Sequence, residues 1–237
     1  MLVATCALAL AALVAPPVNA SPRTDPAWPK NTGARGCPAP VWPKSLNTTV
    51  GPGEGRRVLV IGDSLTRIGR EPLTKELQEA GWTPTIRCWG GRRLDWAMSQ
   101  VDRAKKLNQL PGVVVIAIGT NDMRWISRDR TKARMQQLIK KIGPNRQVFW
   151  VDTHARGGDR FTRDKERWFN GQVKALAKKH DNVHHIEWGN YAREQRVRFV
   201  DALHFGRAGA RTWAKRITDQ VNSVAGNPQY VLRAPAR

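Results

Sequence analysis

The sequence predicts an α/β domain built on a five-stranded, mostly parallel sheet with helices on both faces. Three observations carry this. Short runs of aliphatic residues, many of them β-branched, stop abruptly at glycine-containing turns, as strands buried on both faces do. Between these runs lie segments whose apolar residues recur at helical spacing. The two kinds of segment alternate about five times along the 237 residues, and that alternation calls for parallel strands joined by right-handed crossovers.

The first strand is Val58-Leu59-Val60-Ile61, broken by Gly62-Asp63-Ser64-Leu65. A helix follows over Leu65 to Ala80, with apolar positions at Leu65, Ile68, Leu73, Leu77 and Ala80, and Gly81 ends it. Thr83 to Cys88 alternates as a strand and stops at Trp89-Gly90-Gly91. Leu94, Ala97, Met98, Val101, Ala104 and Leu107 mark the next amphipathic helix. Val113 to Ile118 is the most strand-like run and ends at Gly119-Thr120-Asn121-Asp122. A helix from about Arg130 to Ile142 is closed by Gly143-Pro144. Gln147 to Asp152 gives the fourth strand, Thr162 to Lys179 the fourth helix and Val183 to Trp188 the fifth strand. Ala208 to Val224 forms the last helix, after an irregular passage through Asp201 and His204.

This organisation divides the chain into a leader (1–20), an irregular Pro- and Gly-rich arm (21–55), the domain (56–226) and a tail (227–237). The leader carries no charged side chain, and its apolar run Leu8 to Val14 is followed by Pro16-Pro17-Val18-Asn19-Ala20. It reads as a secretory signal peptide without the usual basic start, and its apolar run is too short for a membrane span. The arm is expected to lie extended on the domain. Removing the leader leaves Cys37 and Cys88 from the chain's 3 cysteines, an even number that fits an oxidising compartment and predicts a bridge between them. The formal charge of +21 is dispersed over predicted helices and loops. No helix-turn-helix, zinc-finger or single-strand-binding pattern accompanies it, so specific nucleic-acid binding is not indicated. In an exported protein such a charge favours association with the anionic polymers and lipid head groups of the cell envelope.

Ser64 is held at the carboxyl end of a buried strand, the edge at which open α/β sheets bind ligands. Gly-Asp-Ser is also ordinary turn chemistry, so the serine alone decides little. A serine nucleophile needs an imidazole within hydrogen-bond reach, and the imidazole needs a carboxylate to fix its tautomer. Asp201-Ala202-Leu203-His204 supplies both from one loop. Attack on an ester also creates an oxyanion that requires preorganised donors. The N–H groups of Ser64 and of a glycine at Gly90-Gly91, with the Asn121 amide, sit at three strand ends on the same edge.

These blocks resemble the SGNH hydrolase superfamily, the GDSL esterases and lipases. Gly62-Asp63-Ser64-Leu65, Gly119-Thr120-Asn121-Asp122 and Asp201-Ala202-Leu203-His204 follow that family's order, with Gly91 the better match for its single glycine and Gly90 the alternative. The resemblance covers about Arg56 to Val224. It implies a flavodoxin-like α/β/α sandwich and ester hydrolysis without metal or organic cofactor. By the same resemblance Ser64 is the nucleophile, His204 the base and then acid, and Asp201 its orienting partner. Ser64, Gly91 and Asn121 then form the oxyanion hole, while Asp63 and Asp122 hold turns through backbone hydrogen bonds.

Other residues admit plainer readings. Among the 10 tryptophans, Trp89, Trp96 and Trp125 adjoin the site in sequence, and one or two of them are expected to line it. Arg92, Arg93 and Arg124 flank it too, either attracting an anionic substrate or ending helices in solvent. His154 follows the fourth strand on the same edge and is a candidate lining residue or a partly buried loop residue. His180, His184 and His185 lie at the opposite edge without metal-ligand spacing. Gly51-Pro52-Gly53-Glu54-Gly55 lacks the Lys-Ser/Thr of a phosphate loop and reads as a connector. The chain is thus expected to be an exported serine esterase acting on short acyl groups of carbohydrate or lipid. An acyltransferase with the same triad and a non-catalytic envelope-binding module are the alternatives.

Overall fold

The computed structural model describes residues 56–157 and 162–226. The strands are β1 (Arg56–Gly62), β2 (Trp82–Cys88), β3 (Val113–Ala117), β4 (Gln147–Val151) and β5 (Val183–Ile186). The helices are α1 (Ser64–Glu79), α2 (Leu94–Lys106), α3 (Thr120–Trp125), α4 (Arg128–Ile142), α5 (Arg163–Lys179), α6 (Trp188–Glu194) and α7 (Arg207–Ala225). The strands pair in the order β2-β1-β3-β4-β5, parallel throughout. That is the flavodoxin-like order, and its switch point lies between β1 and β3, where the connections leave in opposite directions.

Strict alternation along the central strands makes the three layers. Val58 and Val60 of β1 and Val113 and Val115 of β3 join one core with Leu73 and Leu77 of α1 and Trp213, Ile217 and Val221 of α7. Leu59, Ile61, Val114 and Ile116 point the other way, onto α2, α4 and α5. Because both faces are covered, β1 and β3 carry no polar side chain between Val58 and Ile61 or between Val113 and Ala117.

Two short helices depart from the expectation. Gly119-Thr120-Asn121-Asp122 is the first turn of α3 and not only a loop, and Trp188 opens α6 instead of closing β5. Asp152 Oδ1 accepts the Gly189 N–H at 2.7 Å, which satisfies a donor at the start of α6 and turns the chain from strand to helix. Entry into α3 depends on Gly119, whose φ of +130° disfavours any side chain and whose added Cβ would lie 2.2 Å from the Phe169 ring. The arm, the leader, the tail and Cys37 lie outside the described residues. Cys88 is buried at the end of β2, in register with Gly62.

Candidate active site

Ser64 stands where β1 becomes α1, so its backbone N–H belongs to the first turn of a helix, where no intrahelical acceptor exists. Asp63 caps that helix, its Oδ1 accepting the Leu65 N–H at 3.0 Å. Ser64 Oγ lies 2.8 Å from His204 Nε2. His204 Nδ1 lies 2.7 Å from Asp201 Oδ2. The three side chains therefore meet, although 140 positions separate the serine from the histidine.

The loop carrying Asp201 and His204 is held by local hydrogen bonds. Asp201 Oδ1 accepts the backbone N–H groups of Leu203 (2.7 Å) and His204 (2.6 Å), closing the turn on its own carboxylate. Phe199 and Phe205 form an antiparallel bridge on either side, and the Val200 N–H donates to His204 O at 2.8 Å. From the loop after β4, the Arg156 N–H donates to Ala202 O at 2.9 Å. Burial pushes the Asp201 carboxyl up, but hydrogen bonds from the His204 N–H, the His204 ring and the Leu203 N–H outweigh it and hold the group below the usual aspartate value.

The turns after β1, β2 and β3 are bound to one another. The Trp89 N–H donates to Gly62 O at 3.2 Å. Asn121 Nδ2 donates to Asp63 Oδ2 at 3.3 Å and to Arg92 O at 3.1 Å. Asp122 Oδ2 accepts the Leu94 N–H at 2.9 Å, and its Oδ1 accepts from Arg134 Nη1 at 3.2 Å. Gly91 sits in the turn closed by the Arg92 N–H and Trp89 O, at φ +76°, with open space where a Cβ would be. What Gly91 supplies is thus a backbone dihedral rather than room.

Asp63 and Asp122 are both fully buried, and burial raises each carboxyl to about 6. For Asp122 the Leu94 and Arg134 hydrogen bonds oppose that rise without cancelling it. A native pKa above the unfolded value means that the folded protein binds the proton more readily. The stability this group contributes is therefore full below the unfolded value of about 4 and is lost as pH rises through about 6. Asp122→Asn removes this titration. Between pH 4 and pH 7 the wild type should lose on the order of 2 kcal/mol relative to the variant, measured by denaturant unfolding at the two pH values. A gap between the two proteins that stays constant with pH would refute titration of Asp122 in this window.

Of the residues expected to line the cleft, Trp89 and Trp125 are exposed, at 39% and 54%. Arg92 lies over the Trp89 ring at 5.0 Å and Arg124 over the Trp125 ring at 4.4 Å. His154 takes the second of its two readings, a loop residue turned into the protein and not a lining one. It is buried, its Nδ1 accepts from Arg193 Nη1 at 3.0 Å and lies 3.7 Å from Glu166 Oε1, and its ring packs on Phe199. It offers substrate no surface. His184 and His185 are engaged away from the site, by Gln147 Oε1 at 2.6 Å and Asp152 Oδ2 at 2.8 Å. Two braces escaped the sequence reading: Arg134, reaching from α4 to Asp122, and Arg156, holding the acid–base loop. Neither position carries a local signal, since each acts on a partner from another element.

The sequence matches the GDSL-like Lipase/Acylhydrolase family over residues 60–212, which include every block that meets at this edge. The chain belongs to that family. It is 25% identical over 169 residues to YrhL, a proposed peptidoglycan O-acetyltransferase of Bacillus subtilis (strain 168), covering 71% of this chain and 24% of YrhL. The chain thus spans about a quarter of that curated relative. Among solved structures, the catalytic domain of Streptococcus pneumoniae peptidoglycan O-acetyltransferase A superposes with a TM-score of 0.63 at 20% identity, over 73% of this chain and 96% of the other. A Clostridium thermocellum family 3 carbohydrate esterase gives 0.56 at 17% identity, over 72% and 97%. These likenesses bear out the three-layer fold of the GDSL family, in which esterases and acyltransferases share one scaffold. Among the described residues, no helix is long and apolar enough to cross a membrane.

Proposed function

We propose that this protein is an exported serine esterase that removes short acyl groups, such as acetyl, from carbohydrate in the cell envelope. The observation that carries the reading is the continuous path Ser64 Oγ, His204 Nε2, His204 Nδ1, Asp201 Oδ2, with spacings of 2.8 and 2.7 Å. Ser64 Oγ attacks the ester carbonyl as its proton passes to His204 Nε2, and Asp201 stabilises the imidazolium that results. The tetrahedral oxyanion is received by the Ser64 and Gly91 N–H groups and the Asn121 amide. His204 returns the proton to the departing sugar oxygen, leaving acyl-Ser64. Water, deprotonated by the same imidazole, then releases the carboxylic acid.

The Asn121 amide also holds two protein acceptors at 3.1 and 3.3 Å, long contacts that a developing oxyanion would outcompete. Asn121→Ala should therefore lower kcat by about 10²- to 10³-fold in a protein that still folds. Circular dichroism with p-nitrophenyl acetate kinetics checks this, and an undiminished kcat would remove Asn121 from the oxyanion hole.

A second reading is favoured by the two O-acetyltransferase likenesses: acyl-Ser64 passes its group to a sugar hydroxyl instead of water. Partial exposure of the His204 and Asp201 side chains, at 29% and 54%, leaves the acyl-enzyme open to water and supports hydrolysis. Mass spectrometry of products formed from an acetyl donor with and without an oligosaccharide acceptor separates the two. Free acetate at a rate unaffected by acceptor supports the esterase, and acetylated acceptor at the expense of acetate supports the transferase. Export and the Cys37–Cys88 bridge belong to the same proposal. Non-reducing peptide mapping of the secreted protein tests both.

A further inference from the structure

The chain after β4, Asp152 to Ala155, is buried residue by residue. Backbone taken out of water has to find its hydrogen-bond partners inside the protein, and here two side chains of α5 supply them. Asn170 holds Thr153 twice, its Oδ1 accepting the N–H at 3.1 Å and its Nδ2 donating to the carbonyl at 2.8 Å. One turn earlier, Glu166 Oε2 accepts the Ala155 N–H at 2.9 Å. Four residues of helix rise about 6 Å, close to the span of two residues of extended chain, so side chains one turn apart meet alternate residues of this loop. On its other side α6 approaches without a side chain between, since a Cβ on Gly189 would lie 2.5 Å from Thr153 O. The far end of the loop reaches the catalytic histidine's own loop. The Arg156 N–H donates to Ala202 O at 2.9 Å, Arg156 Nη1 donates to Phe199 O at 3.4 Å, and the His154 ring packs on Phe199 at 4.7 Å.

We propose that Glu166 is a positioning residue for the acid–base loop: by holding the turn after β4 through the Ala155 N–H, it sets where His204 stands against Ser64. This rests on the esterase reading and deepens it. The two carboxylate oxygens have separate tasks. Oε2 takes the Ala155 N–H, while Oε1 takes Arg193, whose Nη1 also donates to His154 Nδ1. Stability alone would not call for a charge at this place, because well-packed apolar side chains generally do as well as a buried ion pair. What the carboxylate adds is direction, since charge-assisted bonds fix donors in one geometry. Proton transfer from Ser64 to His204 is sensitive to such fixing, a misplacement of about 1 Å costing on the order of 10²-fold. Glutamine has one oxygen, so Glu166→Gln turns an NH₂ group toward either the Ala155 N–H or the Arg193 guanidinium, donor against donor.

The test compares Glu166→Gln with Val173→Ala, a fully buried core change on the same helix, both in the full chain. Glu166→Gln should lower kcat for p-nitrophenyl acetate at least tenfold with KM within twofold. Exchange of the Arg156 and Val200 amide hydrogens, whose bonds to Ala202 O and His204 O tie the acid–base loop, should quicken at least tenfold by NMR. Val173→Ala should lower the thermal midpoint and move neither readout by more than twofold. In a His204→Ala background, Glu166→Gln should change the residual rate less than twofold, because the group it positions is gone. Asn170→Ala should reproduce the exchange result, and it decides the matter if Glu166→Gln does not fold. It is left out of the His204→Ala comparison because Thr153 also meets Thr120 of α3, at 3.4 Å between hydroxyls, a path toward Asn121. Equal exchange in Glu166→Gln and Val173→Ala, or a rate loss of the same size with and without His204, would overturn the inference. Exchange is read without substrate, so a protein that hydrolyses no ester fails the esterase reading while the positioning role is still judged.

Discussion

Ser64→Ala should abolish labelling by a fluorophosphonate probe and lower kcat for p-nitrophenyl acetate by on the order of 10⁶-fold, leaving the residual rate that binding and oxyanion donors alone provide. The effect is large because the serine hydroxyl is the group that makes and breaks the covalent bond, so nothing else in the triad has a function without it. Its surroundings also make the substitution mild for the fold. Ser64 is the first residue of α1, where alanine is tolerated, and the helix cap is supplied by the Asp63 carboxylate and not by the serine hydroxyl. A thermal midpoint close to wild type should therefore accompany the lost activity. Wild-type protein that takes no probe and shows no turnover would leave only the binding-module alternative standing, and an alanine variant that keeps its rate would remove Ser64 as the nucleophile.

The central strands were legible because burial on both faces leaves an uninterrupted aliphatic signature, and the parallel arrangement followed from alternation with helices. The two missed helices show where that signature stops. α3 is 6 residues long, under two turns, so it has no periodicity to detect, and its opening residues are those that also make a strand-end turn. Ile186 and Trp188 both belong to one core, which imitates the alternation of a strand, while the bond that starts α6 comes from Asp152, 37 positions away. The site divides in the same way. Ser64, Asp201 and His204 announce themselves by residue type and local spacing. Arg134 and Arg156 act on the site only because α4 packs beside α2 and the turn after β4 passes under the acid–base loop. His154 kept two readings in sequence because the strand-end rule places a residue at the correct edge without saying which way it faces. Glu166 on α5 and Arg193 on α6 draw its imidazole inward.

Asp201→Asn should reduce kcat at neutral pH by about 10⁴-fold, close to the loss expected from removing the imidazole's partner outright, although the two side chains have the same shape. The reason lies in how the two carboxylate oxygens are used. Oδ1 accepts two backbone N–H groups, from Leu203 and His204, and Oδ2 accepts from His204 Nδ1. Asparagine has a single oxygen, and the pair of N–H donors fixes it in the Oδ1 position. Its NH₂ group then faces His204 Nδ1, which must give up its own hydrogen and become an acceptor. The hydrogen moves to Nε2, the atom 2.8 Å from Ser64 Oγ, so the imidazole presents a donor where a base is needed. Exposure of Asp201 at 54% tempers the purely electrostatic part of the loss, since water shields an imidazolium near an open carboxylate. The tautomer argument is untouched by solvent, because it rests on which atom carries a hydrogen. Two measurements separate the effects: pH–rate profiles of wild type and variant, and nitrogen NMR of the His204 ring. The variant ring should show its neutral form protonated at Nε2, whereas the same tautomer in both proteins, or a loss below tenfold, would mean that Asp201 orients the ring without setting its proton.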